Sequence, residues 1–306
     1  MNFLITGGAG TVGRDLTAAL VAKGHKVRVL DKRPWAHPGA ESVQGNLKDA
    51  ALVTRSLEGV EAVVHLAWSF SDAPMQLVQD DLTGHVVLLD ACAAAKVPRL
   101  FYASTAVVYG KPVEIPITEE SPSLVEEARK PFYAIAKLAA EKLALAYCKA
   151  KELPVTVLRF WWSYGDRIGG RHLRDMLALA QSGEPLAVPG GAGGSFLAHN
   201  DLAHAVLLSG AEPHSIGQVF NLSTLYLEWT DIARMILQVT RSRSRLDVVP
   251  AHAWRGAQFL ADRWELSVTK AERVFGYRSV FSPHSARQGL GQAIARCSND
   301  LAERAT

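Results

Sequence analysis

Thr6-Gly7-Gly8-Ala9-Gly10-Thr11-Val12-Gly13 joins the apolar run Phe3–Thr6 to the helical pattern Val12–Lys23. The reading of this junction decides the fold. Gly7 suits the positive φ of a tight turn, and Gly10 lets a phosphate approach the backbone. Gly13 lets a helix lie close to the strand before it, and the free N–H groups at the helix start face an anion. A glycine triplet alone is only a turn. Here it follows a strand, opens a helix, and precedes Asp31, which lies 18 positions after Gly13 at the end of the next strand. A carboxylate at that place accepts from ribose hydroxyls, so the segment is expected to bind a dinucleotide.

Outward from the turn, Lys26–Leu30, Ala62–Leu66, Leu100–Ser104 and Val155–Phe160 are short apolar runs. They alternate with the helical stretches Leu77–Lys96 and Phe132–Ala150. Near-continuous apolarity suits strands covered on both faces, and strand–helix alternation at this spacing predicts an α/β fold with a doubly wound parallel sheet of the Rossmann type. Beyond Phe160 the pattern loosens. Gly169-Gly170 and the stretch from Pro189 to Gly194 break the chain, the latter as a flexible loop or a turn between short strands. Val219–Leu222, bracketed by helical Asp201–Ser209 and Trp229–Val239, is expected to return to the main sheet. The predicted division is a dinucleotide-binding domain of residues 1–161 plus 195–225, with a smaller C-terminal substrate or lid domain of 162–194 plus 226–306.

Composition narrows the class. Of 306 residues, 48% are apolar and 21% charged, ordinary values for a soluble globular chain. A net charge of +3 is too small to imply nucleic acid, and the basic run Arg241–Arg245 follows a helix as a solvated end. No stretch has the apolar length of a membrane span, and Met1 leads straight into the glycine turn, so a cytoplasmic protein is expected. Cys92, Cys148 and Cys297 have no metal-ligand spacing and read as reduced thiols. His199 and His204 lie five apart without a third ligand, so no metal is expected.

Tyr133-Ala-Ile-Ala-Lys137 sits behind Pro131, which suits a first helical position. Spacing i,i+4 places both side chains on one helix face. A phenol near pKa ~10 is a poor base at neutral pH, and an ammonium beside it favours the phenolate. Such a tyrosine can take a hydroxyl proton while the carbinol hydrogen leaves as hydride to a nicotinamide.

Together these motifs resemble the extended short-chain dehydrogenase/reductase family, in its NAD-dependent epimerase/dehydratase branch. The likeness covers nearly the whole chain. It includes the glycine turn, His65-Leu-Ala-Trp68, Ser104-Thr105-Ala-Val-Val-Tyr109-Gly110, the Tyr133 and Lys137 pair, Arg159-Phe-Trp-Trp-Ser-Tyr164-Gly165, Leu266-Ser-Val-Thr-Lys270 and Phe275-Gly276-Tyr277. The resemblance implies a catalytic set of Thr105, Tyr133 and Lys137, in which Thr105 hydrogen-bonds the reacting oxygen and Tyr133 is the acid/base. Lys137 would hold the nicotinamide ribose and lower the tyrosine pKa. The implied cofactor contacts are Gly7, Gly10, Thr11, Val12, Gly13, Asp31, Lys32, Asn46, Leu47, Leu66, Ala67, Trp68, Ser104 and Phe160, together with Tyr133 and Lys137. Asn46 and Leu47 fall where the family meets adenine. Asp31 repels a 2′-phosphate and favours NAD, while Lys32 and Arg33 could face solvent or neutralise such a phosphate and so keep NADP open.

The departures from the family pattern are informative. Ala106-Val107 stands where sugar-nucleotide dehydratases carry an acidic pair, which argues against dehydration. Trp162 replaces a common asparagine, and Gly194 stands where many sugar-nucleotide enzymes have a phosphate-binding arginine, so polar contacts expected for a UDP- or dTDP-sugar are missing. Trp68, Thr105, Trp162 and Phe196 are the expected substrate contacts, with Trp161 and Tyr164 nearby, and aromatic faces suit a pyranose ring or an apolar substrate. The expected activity is NAD-dependent epimerisation or dehydrogenation of a sugar-like carbinol. An NAD(P)-dependent reductase or dehydrogenase of a non-sugar alcohol or ketone, and a non-catalytic dinucleotide-binding regulator, stay open beside it. The Leu77–Lys96 and Phe132–Ala150 stretches are apolar on more than one face, and a homodimer is expected.

Overall fold

The computed structural model describes residues 1–303. Strand β1 (Asn2–Thr6) leads through the glycine turn into α1 (Thr11–Ala22), whose buried stripe Gly13, Leu16, Thr17 and Leu20 lies on the sheet. β2 (Lys26–Asp31), β3 (Ala40–Gln44), α2 (Ala50–Ser56) and β4 (Ala62–His65) follow. A single turn, α3 (Pro74–Gln76), passes through a π-helical turn, Leu77–Leu82, into α4 (Thr83–Ala94). The sequence predicts one continuous helix from Leu77. The widened turn interrupts it, and such turns recur at functional sites.

β5 (Arg99–Thr105), the long α5 (Pro131–Lys151) and β6 (Val155–Phe160) complete the strand–helix series. Then come β7 (Trp162–Tyr164), α6 (Arg171–Ser182), β8 (Leu186–Gly190), β9 (Gly193–Ala198), α7 (His199–Ala211), β10 (Gln218–Asn221), β11 (Leu225–Glu228) and α8 (Trp229–Thr240). β12 (Leu246–Pro250), β13 (Arg263–Trp264), α9 (Thr269–Phe275) and α10 (Pro283–Glu303) close the described chain.

Among the described residues, seven strands form one parallel sheet in the order β10-β6-β5-β4-β1-β2-β3. Ile5 of β1 pairs with Val29 on one side and Val64 on the other, so the strand order reverses at β1 and β4. In such a sheet the crevice outside the carboxyl ends at the reversal is where ligands bind. As expected, the strand around Val219 joins this sheet, beside β6.

Alternation along each strand feeds two cores, one on either face. Phe3, Ile5, Phe101 and Phe220 pack with Leu16 and Leu20, while Leu4, Leu100, Tyr102 and Val157 pack with Leu88 and Leu89. A four-stranded sheet contains β11, β9, β13 and β7, and β8 pairs with β12. Around them Leu177, Phe196, Trp229, Ile232 and Leu290 form a third core. The Gly191-Ala192 turn therefore passes the chain from one small sheet to another, with no hairpin between β8 and β9. Among the described residues no helix is long and apolar enough to cross a membrane.

Candidate functional site

The glycine turn is a cradle that side chains would close. Gly7 has φ 73, and a Cβ added there would lie 2.7 Å from the Ala67 Cα. At Gly13 a Cβ would come within 2.5 Å of the Gly7 carbonyl oxygen. Gly10 caps α1 without a side-chain hydrogen bond, leaving the first-turn N–H groups of the helix at Thr11 and Val12 to an outside acceptor. Asp31 is buried at the end of β2 and straps this turn: its carboxylate accepts from Ala9 N at 3.0 Å and from Arg33 N at 2.9 Å. It also borders a cavity of about 460 Å³ lined by Arg33, Pro34, Trp35 and Gln44. An open backbone cradle at a helix start, with a carboxylate one strand away, fits an adenine dinucleotide.

The remaining cofactor candidates lie along the same carboxyl edge, in different states. Lys32 and Asn46 are exposed, Leu47 packs against Gly84, Leu66 and Ala67 follow directly on β4, and Phe160 ends β6. Two expectations change. Ser104 turns its hydroxyl away from the crevice and donates it to the buried Glu141 carboxylate. Trp68 lies behind Lys137: the ammonium sits 4.2 Å from its ring centroid, and the indole packs against His85 and Tyr102.

Thr105, Tyr133 and Lys137 are brought together as expected. Strand alternation points Thr105 opposite to Ser104, at the last position of β5, where its hydroxyl accepts from Val107 N at 3.2 Å and acts on the Tyr133 phenol. Pro131 opens α5, and Asp72 accepts from Tyr133 N at 2.9 Å, which caps the helix beside the phenol. Phe70, at φ 55, stacks on the Tyr133 ring at 5.8 Å. One turn on, Lys137 Nζ donates to the Ala103 carbonyl at 2.7 Å.

The electrostatics differ from expectation. Burial raises the Tyr133 pKa, the Asp81 charge adds to the rise, and the Thr105 hydroxyl offsets part of it. Burial pushes Lys137 down to about 7, against the opposing pull of Glu141 and Asp81. In the chain alone the phenol therefore holds its proton, since desolvation outweighs a weakened ammonium.

Sequence reasoning missed the support beneath this pair. Glu141 lies on the same helix face, four residues past Lys137, and that spacing was the available signal. Its carboxylate accepts from Arg159 Nη2 at 2.6 Å and Nε at 2.9 Å, and both side chains are almost wholly buried. Asp81, on the π turn, accepts from Ser69 N at 2.8 Å and so anchors the loop that carries Trp68 and Phe70.

The expected substrate aromatics split. Phe196 is 0% exposed, between Trp162 and Trp229, so it is a packing residue out of a substrate's reach. Trp162 is nearly buried, stacked 3.9 Å from Trp161, and a Cβ on Gly194 would lie 2.5 Å from its ring. The tryptophan and the glycine are thus one packing change, the ring filling the room a side chain would need. His65 accepts or donates a hydrogen bond with Thr6 Oγ1 at 2.7 Å, and His199 pairs with Asp15 at 2.6 Å. Among the described residues no group of three or more His, Cys, Asp or Glu is placed to hold a metal.

Against known proteins, the sequence model of the NAD dependent epimerase/dehydratase family matches residues 3–223. A UDP-glucose 4-epimerase of Corynebacterium glutamicum is 33% identical over 171 residues, covering 53% of this chain and 51% of that protein. The match thus spans about half the length of such epimerase relatives. An uncharacterised protein, y4nG, of Sinorhizobium fredii is 26% identical over 95% of this chain and 74% of its own. Among solved structures, the dTDP-glucose 4,6-dehydratase DesIV of Streptomyces venezuelae, with NAD bound, superposes with TM-score 0.78 at 25% identity over 98% of this chain and 97% of that one. The UDP-glucose 4-epimerase of Thermotoga maritima gives 0.79 at 23% identity over 98% and 100%, a likeness of fold.

Proposed function

This chain belongs to the NAD dependent epimerase/dehydratase family, enzymes of the short-chain dehydrogenase/reductase type that use NAD, and from that premise we propose that it moves a hydride to or from a carbinol carbon of a sugar or sugar derivative. The observation that carries the reading is the Tyr133 hydroxyl, buried at the carboxyl edge of the sheet, where the Thr105 hydroxyl offsets part of its raised pKa, and one helical turn from Lys137.

Bound NAD supplies the hydride acceptor or donor. The chain's own residues do the rest. Gly7, Gly10 and Gly13 would hold the pyrophosphate at the start of α1, and Asp31 would accept from the adenosine ribose. Lys137 would hold the nicotinamide ribose. Thr105 Oγ1 orients the substrate oxygen, and the Tyr133 oxygen exchanges a proton with it. When a ketone is reduced, the high pKa of Tyr133 keeps its proton ready for transfer. Oxidation needs that proton gone, and the Lys137 ammonium is the chain's own positive charge on the same helix face.

Epimerisation adds one requirement, that the ketone stay bound while it turns over. The names of the relatives support that variant, and the absence of an acidic pair at Ala106 and Val107 speaks against dehydration. The test is Tyr133→Phe. Turnover of sugar substrates, read as reduced-cofactor absorbance for net oxidation and as chromatographic conversion of one epimer into the other for epimerisation, should fall by about 10²–10⁴-fold while NAD affinity holds. Unchanged turnover in the variant refutes the reading.

A further inference from the structure

Asp31 does not stand at the cofactor cradle as a bare charge. Its side chain is 7% exposed, and both carboxylate oxygens are engaged. Oδ2 accepts from Ala9 N at 3.0 Å. Oδ1 accepts from Arg33 N at 2.9 Å and, at 3.4 Å, from Arg33 Nε. The acid expected to repel a 2′-phosphate is therefore already paired with a guanidinium from two residues further on.

The pair leaves most of that guanidinium unspent. Arg33 Nη2 reaches over the glycine turn, to 3.7 Å from where a Cβ on Gly10 would stand. A second arginine comes to the same turn from α1. Arg14 Nε donates to the Ala9 carbonyl at 3.0 Å, and its guanidinium carbon lies 5.9 Å from the Trp35 ring centroid. Among the described residues, no acceptor takes the terminal nitrogens of either arginine. Two guanidiniums thus border adjacent residues, Ala9 and Gly10, with the single carboxylate of Asp31 beside them. Next to them opens the cavity of about 460 Å³ lined by Asp31, Arg33, Trp35 and Gln44. In a sheet of this kind the acid at the end of β2 marks the 2′ position of the adenosine ribose, and an arginine near it accommodates a phosphate there.

We propose that Arg33 and Arg14 form a 2′-phosphate site at the mouth of the glycine turn, so that this chain takes NADP(H) as well as NAD(H). The site belongs to the dinucleotide cradle and goes beyond the hydride chemistry at Tyr133. Arg33 supplies a planar fork that matches a phosphate's oxygens, and Arg14 adds a second charge from the helix side. Asp31 serves both cofactors. With NAD it accepts from the 2′-hydroxyl, and with NADP its bond to Nε holds the Arg33 fork against the turn.

The experiment titrates the full chain, Arg33→Gln and Arg14→Gln with NADH and with NADPH, reading nicotinamide fluorescence at low and at high KCl. The unaltered chain should bind NADPH within about tenfold of NADH, or more tightly. Arg33→Gln should lower the NADPH affinity relative to NADH by about tenfold or more, and Arg14→Gln should shift the ratio in the same direction. Each ratio comes from one preparation, so a loss of folded protein cancels. Salt should weaken NADPH more than NADH, because the extra phosphate charge is screened. NADPH bound more than about tenfold more weakly than NADH by the unaltered chain overturns the proposal. So does an equal loss for both cofactors in Arg33→Gln, which puts that arginine on the pyrophosphate, or a ratio that neither variant moves. Binding of neither dinucleotide removes the cradle and the site together, whereas NADH bound without NADPH removes the site alone. The Tyr133→Phe result is independent of all of these.

Discussion

Glu141→Gln should destabilise the whole chain through a residue that touches neither substrate nor cofactor. The Glu141 side chain is 1% exposed and that of Arg159 5%, with bonds of 2.6 and 2.9 Å between them. Gln keeps one acceptor for the guanidinium and removes the compensating charge. Breaking one side of a buried pair costs about 3–5 kcal/mol, because the remaining charge keeps its desolvation penalty. The retained acceptor puts Glu141→Gln at the lower end, about 3 kcal/mol, or roughly 6–12 °C in Tm at 2–4 °C per kcal/mol. Urea unfolding followed by tryptophan fluorescence measures it. The control is the double variant Glu141→Leu with Arg159→Met, which removes both charges and should recover most of the loss. A cost below about 1 kcal/mol for Glu141→Gln, or a double variant that costs the sum of the singles, would refute the account of a paired and costly burial.

Two further predictions follow from the same geometry. Gly13→Ala places a Cβ 2.5 Å from the Gly7 carbonyl and 2.5 Å from Gly8, so the turn must open and NAD affinity should fall by at least about tenfold in a fluorescence titration. Gly291→Ala, whose Cβ meets nothing within 4 Å, is the control and should leave affinity unchanged; equal affinities in the two variants end the cradle argument. His85 is buried and held down to about 3 by desolvation, against the 6.5 of an ordinary imidazole. Between those values the unfolded chain binds a proton that the folded chain does not, so stability rises with pH across that window and is lost as pH falls from 6.5 toward 3. His85→Met should remove about 1.4 kcal/mol per pH unit of that slope in urea midpoints at pH 6 and 4.5, and an unchanged slope would count against it.

The main sheet was legible because its strands are buried on both faces and so read as uninterrupted apolar runs. β3 escaped notice for the complementary reason. It is an edge strand, Ala40–Gln44, with three of five residues exposed, and neither apolarity nor alternation marks it. The interruption of the Leu77–Lys96 helix was hidden as well, since the π turn keeps helical composition while inserting one residue per turn. Local sequence carries propensity. It does not carry the packing that selects a wider turn.

The site was legible in its motifs and illegible in its parity and its dielectric. Ser104 and Thr105 are adjacent hydroxyls, and sequence offers both to the crevice; the pleat sends only one there. Alternation turns Ser104 toward α5, where its hydroxyl donates to the Glu141 carboxylate that Arg159 neutralises, and leaves Thr105 as the last residue of β5 at the carboxyl edge. The chemistry and its foundation are thus divided by a single residue step. The same burial that places Tyr133 reverses the effect expected of Lys137. An ammonium can lower a neighbouring phenol's pKa only as far as it remains charged, and in this interior it is held near neutrality, with Glu141 and Asp81 pulling its pKa back up. Asp81 raises the pKa of both reacting groups, which supports the lysine charge and opposes the tyrosine's. Glu141 is a cause of the lysine shift and not of the tyrosine shift. Glu141 thus supports the Lys137 charge without adding to the rise at Tyr133, whereas Asp81 does both.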